Sequence, residues 1–213
     1  AQRQGKDSVT GLERSRSYGP VHLEDRGGFG IVTINDPPVN AGSHAVRSGV
    51  LACLEEASRH DLKGVVIIGA GRGFIVRSDI REFGAPLLAP ELPDVIAVIE
   101  ACPHLVCAAI QGAALGGGFE LALGCDLRVG APDAIVGLPE VTLGMIPGAG
   151  GTQCLPRLVG VGTAITQITS GTRVPASEAL QLGMLDAVAK TSLADDLISG
   201  AMQMLESSPA KRV

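Results

Sequence analysis

Two glutamates lie in unusually apolar stretches of the sequence and are the first candidates for chemistry. Glu120 follows three glycines in AALGGGFELALGCD, and Glu140 lies in GLPEVTLGMIPGAGG, 140 − 120 = 20 positions further on. An apolar setting raises the pKa of a carboxyl group and lets it exchange a proton near neutral pH. Such a pair could act as acid and base at one reacting centre. The alternative for each glutamate is a solvated surface residue.

The glycine triplet at positions 116–118 predicts an anion-binding turn. It lies between a predicted strand and a predicted helix, so the first helical turn has unpaired N–H groups at the positive end of the helix dipole. Because glycine has no side chain, a ligand oxygen can approach these N–H groups closely. The alternative is that the glycines allow close packing of this helix against a neighbouring element.

Composition limits the classes of protein that these residues can serve. The chain has 213 residues, 46% hydrophobic and 2% aromatic, with a net charge of −5 and a mean hydropathy of +0.31. These values favour one domain with an aliphatic core and argue against nucleic acid or an anionic membrane as a partner. We expect no membrane-spanning segment, because no apolar run is long enough. The five cysteines form no C-x-x-C pair and the four histidines are scattered, so we predict no metal site.

Strand and helix patterns alternate along the chain with short links, which predicts an α/β fold with largely parallel sheets. We expect a poorly ordered leader at 1–19, a core domain at 20–190, and the start of a helical region or a linker at 191–213. Strands are predicted in VHLED, FGIVTIN, GVVIIGA, LVCAAI, LRVG, AIVG and LDAVA. A helix capped by Ser43 is predicted through about His60. Further helices are predicted at Leu92–Ala101, Gly117–Leu123, Thr152–Leu158, Gly162–Thr169, Ser177–Leu182 and Leu193–Leu205.

A second glycine-rich stretch, VVIIGAGRGF, invites a dinucleotide-binding interpretation. The fingerprint requires glycines at relative positions one, three and six and a helix directly afterwards. Here position six is Phe74, and the following FIVRSDI has an extended pattern. The stretch therefore does not support a nicotinamide-dependent oxidoreductase, which we retain only as a distant alternative.

Three blocks of the sequence resemble the crotonase superfamily, specifically the enoyl-CoA hydratase/isomerase family. They are GAGRGFIVRSDIREFG, AAIQGAALGGGFELALGCDLRV and GLPEVTLGMIPGAGGTQCLPRLVG. The resemblance covers roughly Val21 to Lys190, and this part of the sequence is most similar to the hydratase/isomerase portion of multifunctional β-oxidation enzymes. It implies a spiral of repeated ββα units, with the C-terminal helical part short or missing here. It also implies assembly as a trimer or hexamer, or a place in a larger multifunctional chain.

The resemblance also assigns roles to individual residues. Glu120 and Glu140 match the two catalytic glutamates, and Val76 and Gly117 match the backbone donors of the oxyanion hole. The substrate is then an acyl-CoA thioester, with no separate cofactor. Its CoA portion and thioester are expected near six residues: Ala41, Ile75, Arg77, Ser78, Asp79 and Gly116. The compartment implied is the cytoplasm in a bacterium and the peroxisome or mitochondrion in a eukaryote.

The sequence departs from the family at VRSD, where Arg77 replaces a glycine. This departure and the short C-terminal part leave a second hypothesis open, a catalytically weak CoA-binding or assembly module. The presence of both glutamates favours the hydratase, since isomerases of the family generally need only the second.

Overall fold

The computed structural model describes residues 15–76, 82, 86 and 88–209. Strands and helices alternate through these residues, as the sequence patterns predict. The strands are β1 (Arg16–Tyr18), β2 (Val21–Arg26), β3 (Phe29–Ile34), β4 (Gly64–Gly69), β5 (Val106–Ile110), β6 (Ala113–Leu115), β7 (Leu127–Gly130), β8 (Ile135–Gly137), β9 (Val174–Pro175) and β10 (Ala187–Val188). The helices are α1 (His44–Ala57), α2 (Leu92–Ala101), α3 (Gly117–Gly124), α4 (Gly151–Val159), α5 (Val161–Ser170), α6 (Ala176–Leu182) and α7 (Ala194–Ser207), with a 3-10 turn at Glu140–Leu143.

Two sheets organise the chain. The larger sheet has the strand order β1-β2-β3-β4-β5-β7-β10, and the smaller one has the order β6-β8-β9. In the larger sheet β1, β2 and β3 are antiparallel, and every pair from β3 to β10 is parallel. Most central strands are buried along their whole length, which explains their continuous Val, Ile and Ala runs. The prediction of largely parallel sheets is confirmed.

Successive strands of the C-terminal half alternate between the two sheets. β5 runs in the larger sheet, and β6 follows it in the smaller sheet just before α3. β7 and β8 repeat this step, and the chain then reaches the 3-10 turn and α4. Each repeat is therefore a strand pair followed by helical structure, in agreement with the expected ββα units.

Local chemistry explains where these elements begin and turn. Gly27 and Gly28 both have positive φ and form the tight connection between β2 and β3, where a side chain would be strained. The Ser43 side chain accepts a hydrogen bond from the N–H of Val46 and caps α1, as predicted. Among the described residues, no helix combines the length and the apolar character that crossing a bilayer requires.

Described elements lie in both segments that flank the predicted core domain at 20–190. β1 lies inside the segment expected to be a poorly ordered leader, where it pairs with β2; residues 1–14 are outside the described part. At the other end α7 packs on β4, β5 and β7 and buries Leu197, Ala201 and Leu205. The packed domain therefore extends beyond residue 190 in the described chain. The helix predicted at Leu193–Leu205 corresponds to α7, whereas β1 is short, mostly exposed and held by its pairing with β2.

Packing of β1 on α1 can be tested at Gly49. A Cβ atom at this position would lie 2.5 Å from the carbonyl oxygen of Tyr18 and 2.8 Å from Cβ of Val21. We expect Gly49→Ala to lower the free energy of unfolding by about 2–3 kcal/mol, because backbone must move to accommodate the methyl group. The measurement is urea unfolding followed by circular dichroism.

Gly200→Ala is the matched control, because Gly200 is also inside a 14-residue helix but has no atom within 4 Å of the position that an added methyl group would occupy. Alanine should stabilise α7 there by up to about 1 kcal/mol. Equal effects at the two positions would contradict the packing described for β1 and α1.

Candidate active site

A cavity opens where α1, the start of α2, the first turn of α3 and the 3-10 turn meet. Both sequence-predicted glutamates line it, as do Ile75 and Gly117. Its apolar wall consists mainly of Val46, Val50, Leu92, Leu121, Met145 and Ile146. The structure thus brings together residues that are far apart in sequence: Glu140 and Ile75 are 140 − 75 = 65 positions apart. An apolar cavity with a few convergent polar groups is the usual form of a small-molecule site.

Glu120 is buried in the first turns of α3 and is 4% exposed. Its Oε1 accepts hydrogen bonds from the backbone N–H groups of Ala149 at 2.7 Å and Gly151 at 2.9 Å. Burial raises the pKa of Glu120, and the backbone donors at 148–151 oppose that rise. Gly151 begins α4, so the positive end of that helix also faces the carboxylate. Glu120 is therefore held in one orientation by backbone that favours its charged form.

Glu140 lies at the start of the 3-10 turn and has a different environment. A Cβ atom at Gly116 would lie 3.1 Å from its Oε1, so the carboxyl group sits directly against the glycine turn. Its Oε2 is buried and has no hydrogen-bond partner in the part of the chain that the structure describes. Burial is the main cause that raises the pKa of Glu140 to about 7, and the nearby charge of Glu120 raises it further. This carboxyl group can hold or release a proton near neutral pH.

The glycine triplet leaves backbone donors at the cavity. The N–H groups of Phe119 and Glu120 bond to the carbonyl of Gly116, as the first turn of a helix requires. Gly117 and Gly118 precede them, line the cavity, and donate no backbone hydrogen bond among the described residues. A Cβ at Gly118 would lie 2.1 Å from the carbonyl oxygen of Ile75, so the turn packs closely against a neighbouring element. The same turn also leaves N–H donors at the cavity, and close packing and exposed donors therefore occur together.

Val76 follows Ile75 on the strand segment that packs against this turn. Its N–H donates to the carbonyl of Val39 at 3.4 Å, a long hydrogen bond, and its side chain does not line the cavity. In this structure the amide matched to the second oxyanion donor therefore already has a partner. Ile75 forms an isolated parallel bridge with Ala114 of β6, which ties the segment to the smaller sheet.

The remaining predicted contacts are distributed around the cavity mouth. Ala41 is half-buried and precedes Gly42, which lines the cavity, and Gly116 touches Glu140. Arg77, Ser78 and Asp79 lie outside the described residues. Among the residues that the structure describes, no three histidine, cysteine, aspartate or glutamate side chains cluster in a way that could hold a metal ion.

Sequence reasoning missed a charged pair in the cavity wall. Arg47 of α1 is 6% exposed, and its Nη1 donates to Glu82 at 2.7 Å. The same guanidinium also donates to the backbone carbonyls of Gly42, Leu88 and Pro90. Arg47 and Glu82 both line the cavity. The available signal was an arginine on the apolar face of α1, in HAVRSGVLACL, where a lone charge needs a partner.

Two glutamates in one apolar cavity, beside the N–H donors of a helix terminus and between two sheets, form the arrangement that the crotonase resemblance implies. The profile of the family "Enoyl-CoA hydratase/isomerase" matches residues 24–213. The chain belongs to the enoyl-CoA hydratase/isomerase family. The resemblance identified from the sequence is confirmed.

Individual relatives support the same assignment. The chain is 47% identical over 174 residues to "Peroxisomal bifunctional enzyme" of Danio rerio, covering 81% of this chain and 24% of the relative. It is 42% identical over 168 residues to "Probable enoyl-CoA hydratase" of Bacillus subtilis, covering 75% and 65%. The chain thus spans about a quarter of the length of the bifunctional relative.

Solved structures confirm the crotonase fold. An enoyl-CoA hydratase from Bacillus anthracis has a TM-score of 0.80 and 32% identity, covering 90% of this chain and 78% of that one. A second structure, described as enoyl-CoA hydratase subunit I from Geobacillus kaustophilus, has a TM-score of 0.80 and 34% identity, covering 90% and 77%.

The environment of Glu140 predicts a specific pH dependence of stability. Between its ordinary pKa of 4.5 and about 7, folded protein keeps a proton on Glu140 that the unfolded chain releases. This contribution to the free energy of unfolding is therefore lost as pH rises through that window. Glu140→Gln lacks the titration, so the stability of the variant relative to wild type should increase from about pH 5 to about pH 8.

Urea unfolding of both proteins at the two pH values measures this difference. A stability difference that is independent of pH would contradict the raised pKa of Glu140.

Proposed function

We propose that the chain hydrates 2-enoyl-CoA thioesters in fatty-acid β-oxidation. The observation that carries this proposal is the pair of carboxyl groups in one cavity, beside helix-terminus N–H groups that have no partner among the described residues. One carboxyl group accepts two backbone hydrogen bonds, and the other has a pKa of about 7 and can hold a proton. Hydration needs those three elements: a base for water, an acid for carbon, and donors for a developing oxyanion. The names of the relatives agree with this activity.

In the proposed reaction Glu120 accepts a proton from water as the oxygen attacks C3 of the enoyl group. The electron pair of the double bond moves towards the thioester, whose oxygen gains negative charge as an enolate. The Gly117 N–H stabilises that charge more than it stabilises the ground-state carbonyl, which lowers the barrier. Glu140 then donates its proton to C2, and the product is a 3-hydroxyacyl thioester. The proton that Glu120 took from water then returns to Glu140 through solvent, which restores both carboxyl groups. Over a full turnover water and the thioester supply every atom, so the proposed reaction needs no cofactor.

We propose Val76 as the second oxyanion donor. Its long hydrogen bond to Val39 would then be exchanged for one to the thioester oxygen when substrate binds. The CoA portion is proposed to lie along Ala41, Ile75, Gly116 and the segment 77–79.

The wider setting of the chain is also a proposal. The names of the bifunctional and multifunctional relatives suggest that this domain works within a longer polypeptide. The resemblance to the crotonase superfamily suggests the alternative, assembly as a trimer or hexamer. A role in β-oxidation suggests a peroxisome or mitochondrion in a eukaryote and the cytoplasm in a bacterium.

Removing either acid should abolish hydration. We expect Glu120→Gln and Glu140→Gln each to lower kcat by about 100- to 10,000-fold, because each deletes one proton transfer while keeping side-chain shape. The measurement is the loss of ultraviolet absorbance as the conjugated bond of crotonyl-CoA becomes saturated.

Glu55→Gln is the control, because Glu55 is an exposed glutamate on α1 and its substitution removes the same charge. It should keep wild-type turnover. Tight binding of crotonyl-CoA to wild-type protein without turnover would instead support the weak CoA-binding module.

Glu140 favours a second activity, the shift of a double bond from position 3 to position 2. Its Oε2 has no hydrogen-bond partner among the described residues, and the pKa of Glu140 is about 7. The same carboxyl group could therefore take a proton from C2 to give a dienolate and return one to C4. This isomerisation does not use water. Glu120→Gln should therefore retain conversion of a 3-enoyl-CoA to its conjugated isomer if the activity exists, whereas Glu140→Gln should lose it.

A further inference from the structure

Asn40 has an unusual backbone conformation for its place beside the cavity. It is 3% exposed and has φ of +49°, the one positive value of a non-glycine residue among the described positions. Asparagine tolerates this left-handed region better than most residues, but a buried one needs compensating contacts. The hydrogen bonds of the Asn40 side-chain amide are these compensating contacts.

The Asn40 carboxamide joins two separate turns. Its Oδ1 accepts from the N–H of Asp36 at 2.8 Å, within its own turn. Its Nδ2 donates to the carbonyls of Ala70 at 2.9 Å and Gly73 at 2.8 Å, in the loop after β4. Both hydrogens of the amide are used, and the two carbonyl partners fix which end is nitrogen, because an oxygen there could not pair with them.

The loop after β4 is packed by backbone on its other sides. A Cβ at Gly69 would lie 2.3 Å from the carbonyl oxygen of Gly73, and one at Gly112 would lie 1.9 Å from that of Arg72. The loop thus lies between two glycines and the Asn40 amide. Its path determines where the next residues, Phe74 to Val76, reach the smaller sheet.

Those next residues are part of the candidate active site. The Phe74 N–H donates to Ala113, the Ile75 carbonyl accepts from Leu115, and the Val76 N–H points to the carbonyl of Val39, the neighbour of Asn40. The Asn40 side chain therefore connects two segments. One is the turn with Val39, whose carbonyl accepts from Val76, and the other is the loop that leads to Val76.

We infer that Asn40 is a positioning residue for the oxyanion hole: its amide sets the location of the Val76 N–H relative to the Gly117 N–H. The inference depends on the proposed function, since it assigns both amides to the thioester oxygen. Asn40 itself touches no reacting atom. A purely structural role would lower stability without changing how the bound carbonyl is polarised.

Two variants of the full chain separate these roles. Asn40→Gly keeps access to positive φ but removes the amide. Asn40→Asp keeps the shape but directs an acceptor oxygen at two carbonyls. Asn35→Asp is the matched control, because Asn35 is exposed, lies five residues away in the same connection, and donates through its backbone to Pro20.

The first readout is the absorption band of a bound dimethylaminocinnamoyl-CoA thioester, which moves to longer wavelength when its carbonyl is polarised. We expect both Asn40 variants to reduce this shift and to lower kcat for crotonyl-CoA by about 10- to 100-fold, with KM changing less. Asn35→Asp should match wild type in both. A wild-type band shift and wild-type kcat in folded Asn40→Asp would overturn the inference.

The second readout does not depend on catalysis. Hydrogen–deuterium exchange of peptides covering 70–76 should become faster in Asn40→Gly, while peptides of the β2–β3 hairpin stay protected. Unchanged exchange at 70–76 would overturn the positioning role even if activity fell. If wild-type protein gives no band shift and no hydration, the proposed function fails, and this exchange measurement still decides whether Asn40 holds the loop.

Discussion

The site depends on the close approach of backbone to backbone at the first turn of α3. The carbonyl of Ile75 occupies the space that a side chain at Gly118 would need, and the Glu140 carboxyl group occupies the space beside Gly116. Any larger residue would push apart the strand segment, the helix and the acid. Because the three elements meet at this distance, the unpaired N–H groups of the turn face an apolar cavity, where a hydrogen bond to a developing charge is stronger than in water.

Two chemically identical side chains acquire different roles from their surroundings. Glu120 has backbone donors and a helix terminus that oppose the effect of burial, whereas one oxygen of Glu140 finds no partner among the described residues. Their mutual repulsion then adds to the difference, since ionisation of the first acid raises the pKa of the second. Environment, not residue type, thus separates the candidate base from the candidate acid.

Much of the fold was predictable from the sequence, because strong local patterns coincide with burial. The continuous apolar run of β4, the Ser43 cap and the glycine pair between β2 and β3 each specify their element locally. The glycine triplet and the two glutamates indicated the site for the same reason. The short strands β1, β6 and β9 were missed: they lie in RSY, in the small residues before the glycine triplet, and in a Val-Pro pair, none of which has a strand pattern of its own. The Arg47–Glu82 pair and the partner of the Val76 N–H depend on chain segments far apart in sequence, so no local pattern reports them.

The order of strands in the larger sheet has a consequence for synthesis. From β1 to β10 the neighbours in space follow the order of the chain, and the smaller sheet obeys the same rule. No later strand has to enter between two earlier ones. A chain leaving the ribosome can therefore add each strand to a sheet edge that already exists. Each new strand covers the edge of the sheet that was exposed before it.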